Sequence, residues 1–416
     1  MTRFKVLVVT SHGASEPRGL RHAVAAKRAF PNADVEFLYF QPDRNRVHAD
    51  QISVLQDEHV DCQFLTFPTR EQAVGKWLAH KLLTWGARIV YATTGVIPQA
   101  IFSERTIGLT RVLARRRADL YFAHNFETLM PAALAAKRHG AALVFDCMEF
   151  YSDMGDGQRA EVGRAIAEIE ARYLPECNLV VAASPELAAT YAATYGIDQP
   201  IAAYNTPPIE IDLPLRKGGT LNLYWRNTVL GFGQRGLDDI LAAMARLPKD
   251  VVLHLQGHLG HDGGAALNQR IAGLEIADRV VILPPHPAGA AVTSAARFDI
   301  GLCLERSGPR NHELTVSNKM FDYHMAGLAV IAADHPGLAA VVGQSGGGLL
   351  YAAGNVQALF DAIAELSADR KKLAQLQQNA RAFALQQANM EVELDKIAEA
   401  LRTNVSAHAN NGGHRA

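Results

Sequence analysis

Asn318-Lys319-Met320-Phe321-Asp322-Tyr323-His324-Met325-Ala326-Gly327-Leu328-Ala329-Val330-Ile331-Ala332 decides how this chain is read. Its first half reads as a short helix. Ser317 can cap it, and Gly327 suits the left-handed residue past a helix end. The second half, from Leu328, is an unbroken apolar run of the kind a parallel strand buries on both faces. Lys319 lies in the first helical turn, where backbone N–H groups and the helix dipole already favour an anion. Asp322 follows on the same face. A cation at a helix N-terminus, with a hydroxyl acceptor one turn later, is the chemistry needed to hold a nucleotide diphosphate and a sugar.

Outward from this stretch, short apolar runs alternate with helical patterns. Strands are expected at Phe4–Thr10, Val35–Phe40, Cys62–Phe67, Arg88–Ala92, Asp119–Ala123, Ala141–Asp146, Leu179–Ala183 and Ile201–Tyr204. Helices are expected between them, one over Glu71–Trp85 and another opened by Ser184-Pro185-Glu186. The pattern then pauses in a Pro-rich run, 205–219, that ends in Gly218-Gly219 and reads as a linker. Alternation resumes at Leu221–Trp225 and continues through Val251–Gln256, Val280–Leu283, Asp299–Leu304, Leu328–Ala332 and Gly348–Tyr351. The expected class is therefore α/β, with two units of parallel sheet and helices: 1–204, then 220–385. A C-terminal helix over 386–403 and a disordered tail over 404–416 complete the chain. With 416 residues, more than one core is the prior.

A formal net charge of −1 argues against a protein built to wrap nucleic acid. Cys62, Cys147, Cys177 and Cys303 are far apart and lack metal-ligand or disulfide spacing, as expected of thiols in a reducing compartment. The first residues run straight into a strand with no signal-peptide pattern, so a cytoplasmic protein is expected.

The opening stretch closely resembles the P-N-K-x-F-E-Y-x-x-A-G-x-P-V-I segment of family 4-like glycosyltransferases. That resemblance implies the GT-B fold, two Rossmann-like domains facing across a cleft, with the last helix crossing back to the first. It also implies a retaining, metal-independent transfer from a nucleotide-sugar donor, with no cofactor. The C-terminal domain would bind the donor through Asn318, Lys319 and Asp322. Arg235, in the turn Gly233-Gln234-Arg235-Gly236, and Arg226 would contact the diphosphate. Asn311 matches an Asn-x6-Asn-Lys variant of the motif, and Asn311 or Glu305 would touch the sugar. The family's glutamate eight residues before the helix carboxylate is out of step here: that position is Leu314, beside Glu313.

In the N-terminal half, Ala123-His124-Asn125-Phe126-Glu127-Thr128-Leu129 resembles the family's x-H-D-x-x-T-L segment. His124 would then face the sugar and the acceptor, with Asn125 in place of the common Asp. Phe145-Asp146-Cys147-Met148-Glu149-Phe150-Tyr151 resembles Y-D-x-H-E-x-Y, with Met148 in place of His. Glu149 would orient His124 or bind acceptor hydroxyls. Gly13 and Arg18, in the first strand-to-helix loop, would reach the acceptor. His258-Leu259-Gly260-His261-Asp262 mimics metal spacing, but no third soft ligand is evident, and no metal is expected.

One local asymmetry points to a partner. Between Arg70 and Arg117 the charged residues are almost all basic, interleaved with Trp77, Leu78, Leu82 and Trp85. Such helices suit peripheral contact with an anionic membrane, here the inner face of the cell membrane. The acceptor would be a glycan or a lipid-linked molecule, in bacterial-type surface polysaccharide or glycolipid synthesis. Two alternatives stay open: a sugar-nucleotide epimerase or hydrolase of the same fold, and a catalytically inactive scaffold relative.

Overall fold

The computed structural model describes residues 3–13, 17–40, 55, 57–66, 73–155, 158–214, 219–233, 235–260, 262–287 and 289–411. The chain forms two compact units, Met1–Ala203 with Leu394–Ala416, and Tyr204–Glu393.

In the first unit the strands are β1 (Lys5–Thr10), β2 (Asp34–Phe40), β3 (Asp61–Leu65), β4 (Leu120–His124), β5 (Ala142–Cys147), β6 (Leu179–Ala182) and β7 (Ile201–Ala202). Among the described residues they form a seven-stranded sheet in the order β3-β2-β1-β4-β5-β6-β7, and every pairing is parallel. Val6, Leu7, Val8 and Val9 are all fully buried. Successive strand residues point to opposite faces, so both faces of the sheet are covered. That is why these strands read as continuous apolar runs. Strand order reverses direction between β1 and β4, which opens a crevice at their carboxyl ends.

The second unit repeats the plan with β8 (Leu221–Leu230), β9 (Val251–Leu259), β10 (Val280–Leu283), β11 (Ile300–Cys303), β12 (Ala329–Ala333) and β13 (Gly348–Tyr351). The order is β10-β9-β8-β11-β12-β13, again parallel, with the reversal between β8 and β11. The helix Asn318–Met325 ends as the sequence predicts: Gly327 has φ 71°, its N–H bonds to the His324 carbonyl, and the Leu328 N–H bonds to the Tyr323 carbonyl. These two bonds make a Schellman ending. At the other end Ser317 takes no hydrogen bond through its side chain, so the expected cap is absent. Ser184 does cap its helix, accepting from the Leu187 N–H at 3.0 Å.

Three expectations are corrected. Arg88–Ala92 is not a strand but the last part of one helix, Val74–Thr94. The β-branched Ile89 and Val90 suggested a strand, but Thr84, Ala87 and Tyr91 are the buried residues, at helical spacing. The C-terminal helix does not begin at 386: Arg370–Gln386 is one helix and Met390–Asn411 the next. Nor does disorder begin at 404. Thr403 and Asn404 bond through their side chains to the Glu399 and Ala400 carbonyls, and Val405 is fully buried. This last helix starts in the second unit and runs into the first, where Asp395 lies 3.3 Å from Arg28. In the expected linker, Asn205 to Pro214 carries no regular structure, and 215–218 lie outside the described residues.

One buried carboxyl gives the first unit a pH signature. Glu170 is fully buried and accepts from the Tyr191 and Tyr195 hydroxyls at 2.6 and 2.5 Å. Burial pushes its pKa up to about 7 against the two tyrosine bonds, which lower it. The unfolded value is about 4.3, so the contribution to stability is complete below that pH and is lost as pH rises through 7. The loss is on the order of 3 kcal/mol. Urea midpoints of the wild type should fall between pH 4.5 and 8 relative to those of Glu170→Gln; parallel profiles would show that Glu170 titrates normally.

Candidate active site

Each sheet gathers polar side chains at its point of reversal.

In the second unit, Arg226 lies past the middle of β8 and Glu305 just past β11. Glu305 is 3% exposed, and its Oε1 lies 2.6 Å from Lys319 Nζ and 3.5 Å from Arg235 Nη1. Burial alone would raise the Glu305 pKa, but Lys319 and Arg235 outweigh it and hold the carboxyl below its ordinary value. Its other oxygen, Oε2, is buried and takes no hydrogen bond from the described residues. The His335 ring is 2.8 Å from the Glu305 carbonyl and fixes the backbone there. Gly236 brings the Arg235 turn directly onto this strand end: it has φ 74°, and a Cβ there would meet the Leu304 carbonyl oxygen at 2.2 Å.

Arg226 and Asp322, expected to hold phosphate and ribose, are paired with each other at 2.5 Å. The Arg226 N–H donates to the Tyr323 hydroxyl at 3.2 Å, and its Nη1 lies 3.2 Å from His286 Nε2. Tyr323 reaches this place because β11 carries Gly301, where a Cβ would meet the Tyr323 ring at 2.2 Å. Asn318 is exposed at the helix start, while Asn311 is 5% exposed within the short helix Arg310–Leu314. Lys319 and Glu305, both expected on the donor side, are thus paired with each other. The roles of His286 and His335 were not read. Each follows a strand, and that position was the only available signal.

In the first unit, Thr10, His124 and Asp146 are register partners on β1, β4 and β5. His124 is fully buried, and its Nδ1 lies 2.7 Å from Asp146 Oδ2. Arg18 Nε and Nη2 hold the same carboxylate at 2.7–3.1 Å, and Arg18 Nη1 donates to the Ala203 carbonyl at 2.7 Å. Burial acts to raise the Asp146 pKa, but Arg18, His22 and His124 together hold it far below the carboxylate range. Two expectations change here. Arg18 is not a loop residue reaching outward but a 2% exposed residue of the helix Pro17–Ala29. The carboxylate that orients His124 is Asp146, not Glu149, whose carbonyl accepts from the Tyr191 hydroxyl at 3.1 Å. Asp146 was legible as a strand-end acid beside the histidine strand. Gly13 follows β1, and 14–16 lie outside the described residues.

His22, His124 and Asp146 are close enough to share an ion. The Arg18 guanidinium already occupies both Asp146 oxygens, and its charge would repel a cation there. Asp262 of the other metal-like run instead accepts from the Gly264 and Ala266 N–H groups at 3.0 and 2.8 Å, at the start of the helix Ala265–Gly273. His261 of that run lies outside the described residues.

Asn125 begins the helix after β4 with φ 70° and ψ 162°. That region is nearly restricted to glycine and costs roughly 1–3 kcal/mol. The Ser11 hydroxyl donates to its side-chain oxygen at 3.0 Å. A strained, buried turn at a sheet reversal is where functional constraint is most often stored.

Residues 46–204 match the profile described as glycosyl transferase 4-like domain, and residues 228–369 match that of glycosyl transferases group 1. The chain belongs to the group 1, family 4-like glycosyltransferases. No curated protein matches this glycosyltransferase in sequence. Solved structures share its fold. Anabaena HepE, crystallised with UDP and glucose, is 18% identical with a TM-score of 0.68, covering 96% of this chain and 100% of that one. Sucrose-phosphate synthase from Thermosynechococcus elongatus is 16% identical with a TM-score of 0.66, covering 97% and 100%. The lipopolysaccharide outer core galactosyltransferase WaaB, in its apo form, is 13% identical with a TM-score of 0.62, covering 96% and 99%. The transferase thus has the GT-B fold and uses a nucleotide-sugar. Among its described residues no helix is long and apolar enough to cross a membrane.

Proposed function

We propose that the protein is a retaining, metal-independent hexosyltransferase acting in surface polysaccharide or glycolipid synthesis. The observation that carries the donor half is the Lys319–Glu305–Arg235 cluster at the reversal point of the second sheet, with one buried Glu305 oxygen still open to a hydroxyl. A diphosphate would draw on the cations, and a ribose or sugar hydroxyl would donate to Glu305. The presence of UDP and glucose in the HepE structure supports a uridine nucleotide as the first donor to try. In transfer, the acceptor hydroxyl oxygen bonds to the anomeric carbon as the bond to the diphosphate breaks. The leaving diphosphate oxygen takes the acceptor proton, so Asn125 need not act as a base. In this reading His124 hydrogen-bonds the reacting sugar, and Asp146, 2.7 Å from its Nδ1, sets the tautomer and ring plane.

Replacing His124 tests this. His124→Ala should lower turnover on a donor–acceptor pair by about a hundredfold or more, while nucleotide affinity by calorimetry changes little. His124→Asn should recover part of the loss if the role is hydrogen-bond donation. Near wild-type turnover in a folded His124→Ala protein would leave this histidine a purely structural residue.

A further inference from the structure

The helix Val74–Thr94 packs on the first unit through Thr84, Ala87 and Tyr91. Its outward side is not polar. Val74, Leu78, Leu82, Trp85 and Ile89 are exposed, with Leu82 at 61% and Trp85 at 62%. At about 100° per residue these five project within an arc of about 80°, roughly opposite the packed face, while the exposed Leu83 and Val90 lie outside that arc. Soluble surfaces scatter their exposed apolar residues; a continuous stripe marks a contact surface. Beside it a cavity of about 620 Å³ is lined by Lys81, Trp85, Arg88, Arg105, Glu127 and Arg159. Glu127 already accepts from the Ser103 hydroxyl at 2.6 Å. Among the described residues, none of the four cations has an ion-pair partner; Arg88 and Arg105 bond to the Ile101 and Ser11 carbonyls. The cavity therefore carries a net excess of positive charge at the edge of an apolar stripe.

We infer that this cavity binds the phosphate or diphosphate head of a membrane-borne amphiphilic acceptor, whose hydrocarbon chain lies along the Val74–Ile89 stripe with the helix seated in the lipid interface. The geometry matches such a ligand in order: charge in the cavity, tryptophan at its rim, aliphatic surface beyond. The helix contains no acidic residue, so an anionic lipid surface complements it. A second copy of this chain would instead bring Lys76, Lys81 and Arg88 against the same cations across a two-fold axis. The helix lies in the interface rather than crossing it. The inference rests on the transferase reading only in calling the amphiphile an acceptor; the binding itself does not depend on it.

The test uses the full chain, with farnesyl diphosphate and inorganic diphosphate as probes and vesicles of phosphatidylcholine alone or with 30% phosphatidylglycerol. Farnesyl diphosphate should bind at least tenfold more tightly than inorganic diphosphate. Lys81→Gln with Arg159→Gln should weaken it about tenfold, and Leu82→Ser with Trp85→Ser should abolish the preference for the prenylated probe. Cosedimentation should occur with the anionic vesicles, fall with salt, and be lost in Leu82→Ser with Trp85→Ser. Equal affinity for both diphosphates, equal recovery on both vesicle types, or concentration-dependent dimers dispersed by Leu82→Ser without vesicle binding would each overturn the inference. UDP titration of the same variants separates the two readings. Retained UDP binding with no amphiphile binding removes this site and leaves the transferase. Amphiphile binding without UDP binding removes the uridine-donor reading and leaves this site.

Discussion

Lys319→Ala is expected to destabilise the fold and abolish tight donor binding together. Glu305 is buried, and Lys319 Nζ at 2.6 Å is its nearest compensating charge. Arg235, at 3.5 Å and with 44% of its side chain exposed, is a weaker partner. Removing one member of a buried ion pair costs about 3–5 kcal/mol, because the other charge is left uncompensated. Donor affinity should fall by about 10- to 150-fold, the worth of one charge-assisted contact to diphosphate. The double variant Lys319→Ala with Glu305→Gln separates the two effects. It removes the orphaned charge, so the urea midpoint should return to near wild type, while nucleotide affinity stays low. Recovery of both would mean that Lys319 serves only to neutralise Glu305.

Asp146→Asn should be the most damaging single change in the first unit. It leaves Arg18, 2% exposed, without its counter-charge and takes the acceptor from His124 Nδ1. A loss of about 3–5 kcal/mol is expected. The folded pKa of Asp146 lies below the unfolded value of about 3.9. Its stabilisation is therefore present above pH 4 and is lost as pH falls toward the folded value. The acid limb of the stability curve should be shallower in Asp146→Asn than in the wild type. Turnover should fall as well, because an amide no longer fixes the His124 tautomer. Unchanged urea midpoints would show that the Arg18–Asp146 pair contributes nothing to the fold.

The sheets were legible because parallel strands buried on both faces have an unmistakable composition. Gly327 was legible because glycine, lacking a Cβ, suits a left-handed helix end best. The helix Val74–Thr94 misled at its C-terminal half, where Ile89 and Val90 are exposed in place of polar residues. A reading that assumes a polar outer face cannot recognise such a helix. The pairings inside the site were harder. Arg226 and Asp322 lie 96 positions apart and meet only because β8 pairs with β11, and Lys319 reaches Glu305 across a loop and a short helix; neither pairing is written in local spacing. Arg18 was misplaced for the same reason: its partner lies 128 positions away.

The most direct measurement is a thermal-shift titration of the full chain over UDP-, GDP- and ADP-sugars, run beside Lys319→Ala with Glu305→Gln. One nucleotide class should raise the wild-type midpoint, by about 2.7 kcal/mol of stabilisation at a hundredfold excess over Kd, and the double variant should lose most of that shift. If no sugar nucleotide shifts the wild type, or if the double variant shifts as far as the wild type does, the donor site does not lie at Lys319 and Glu305.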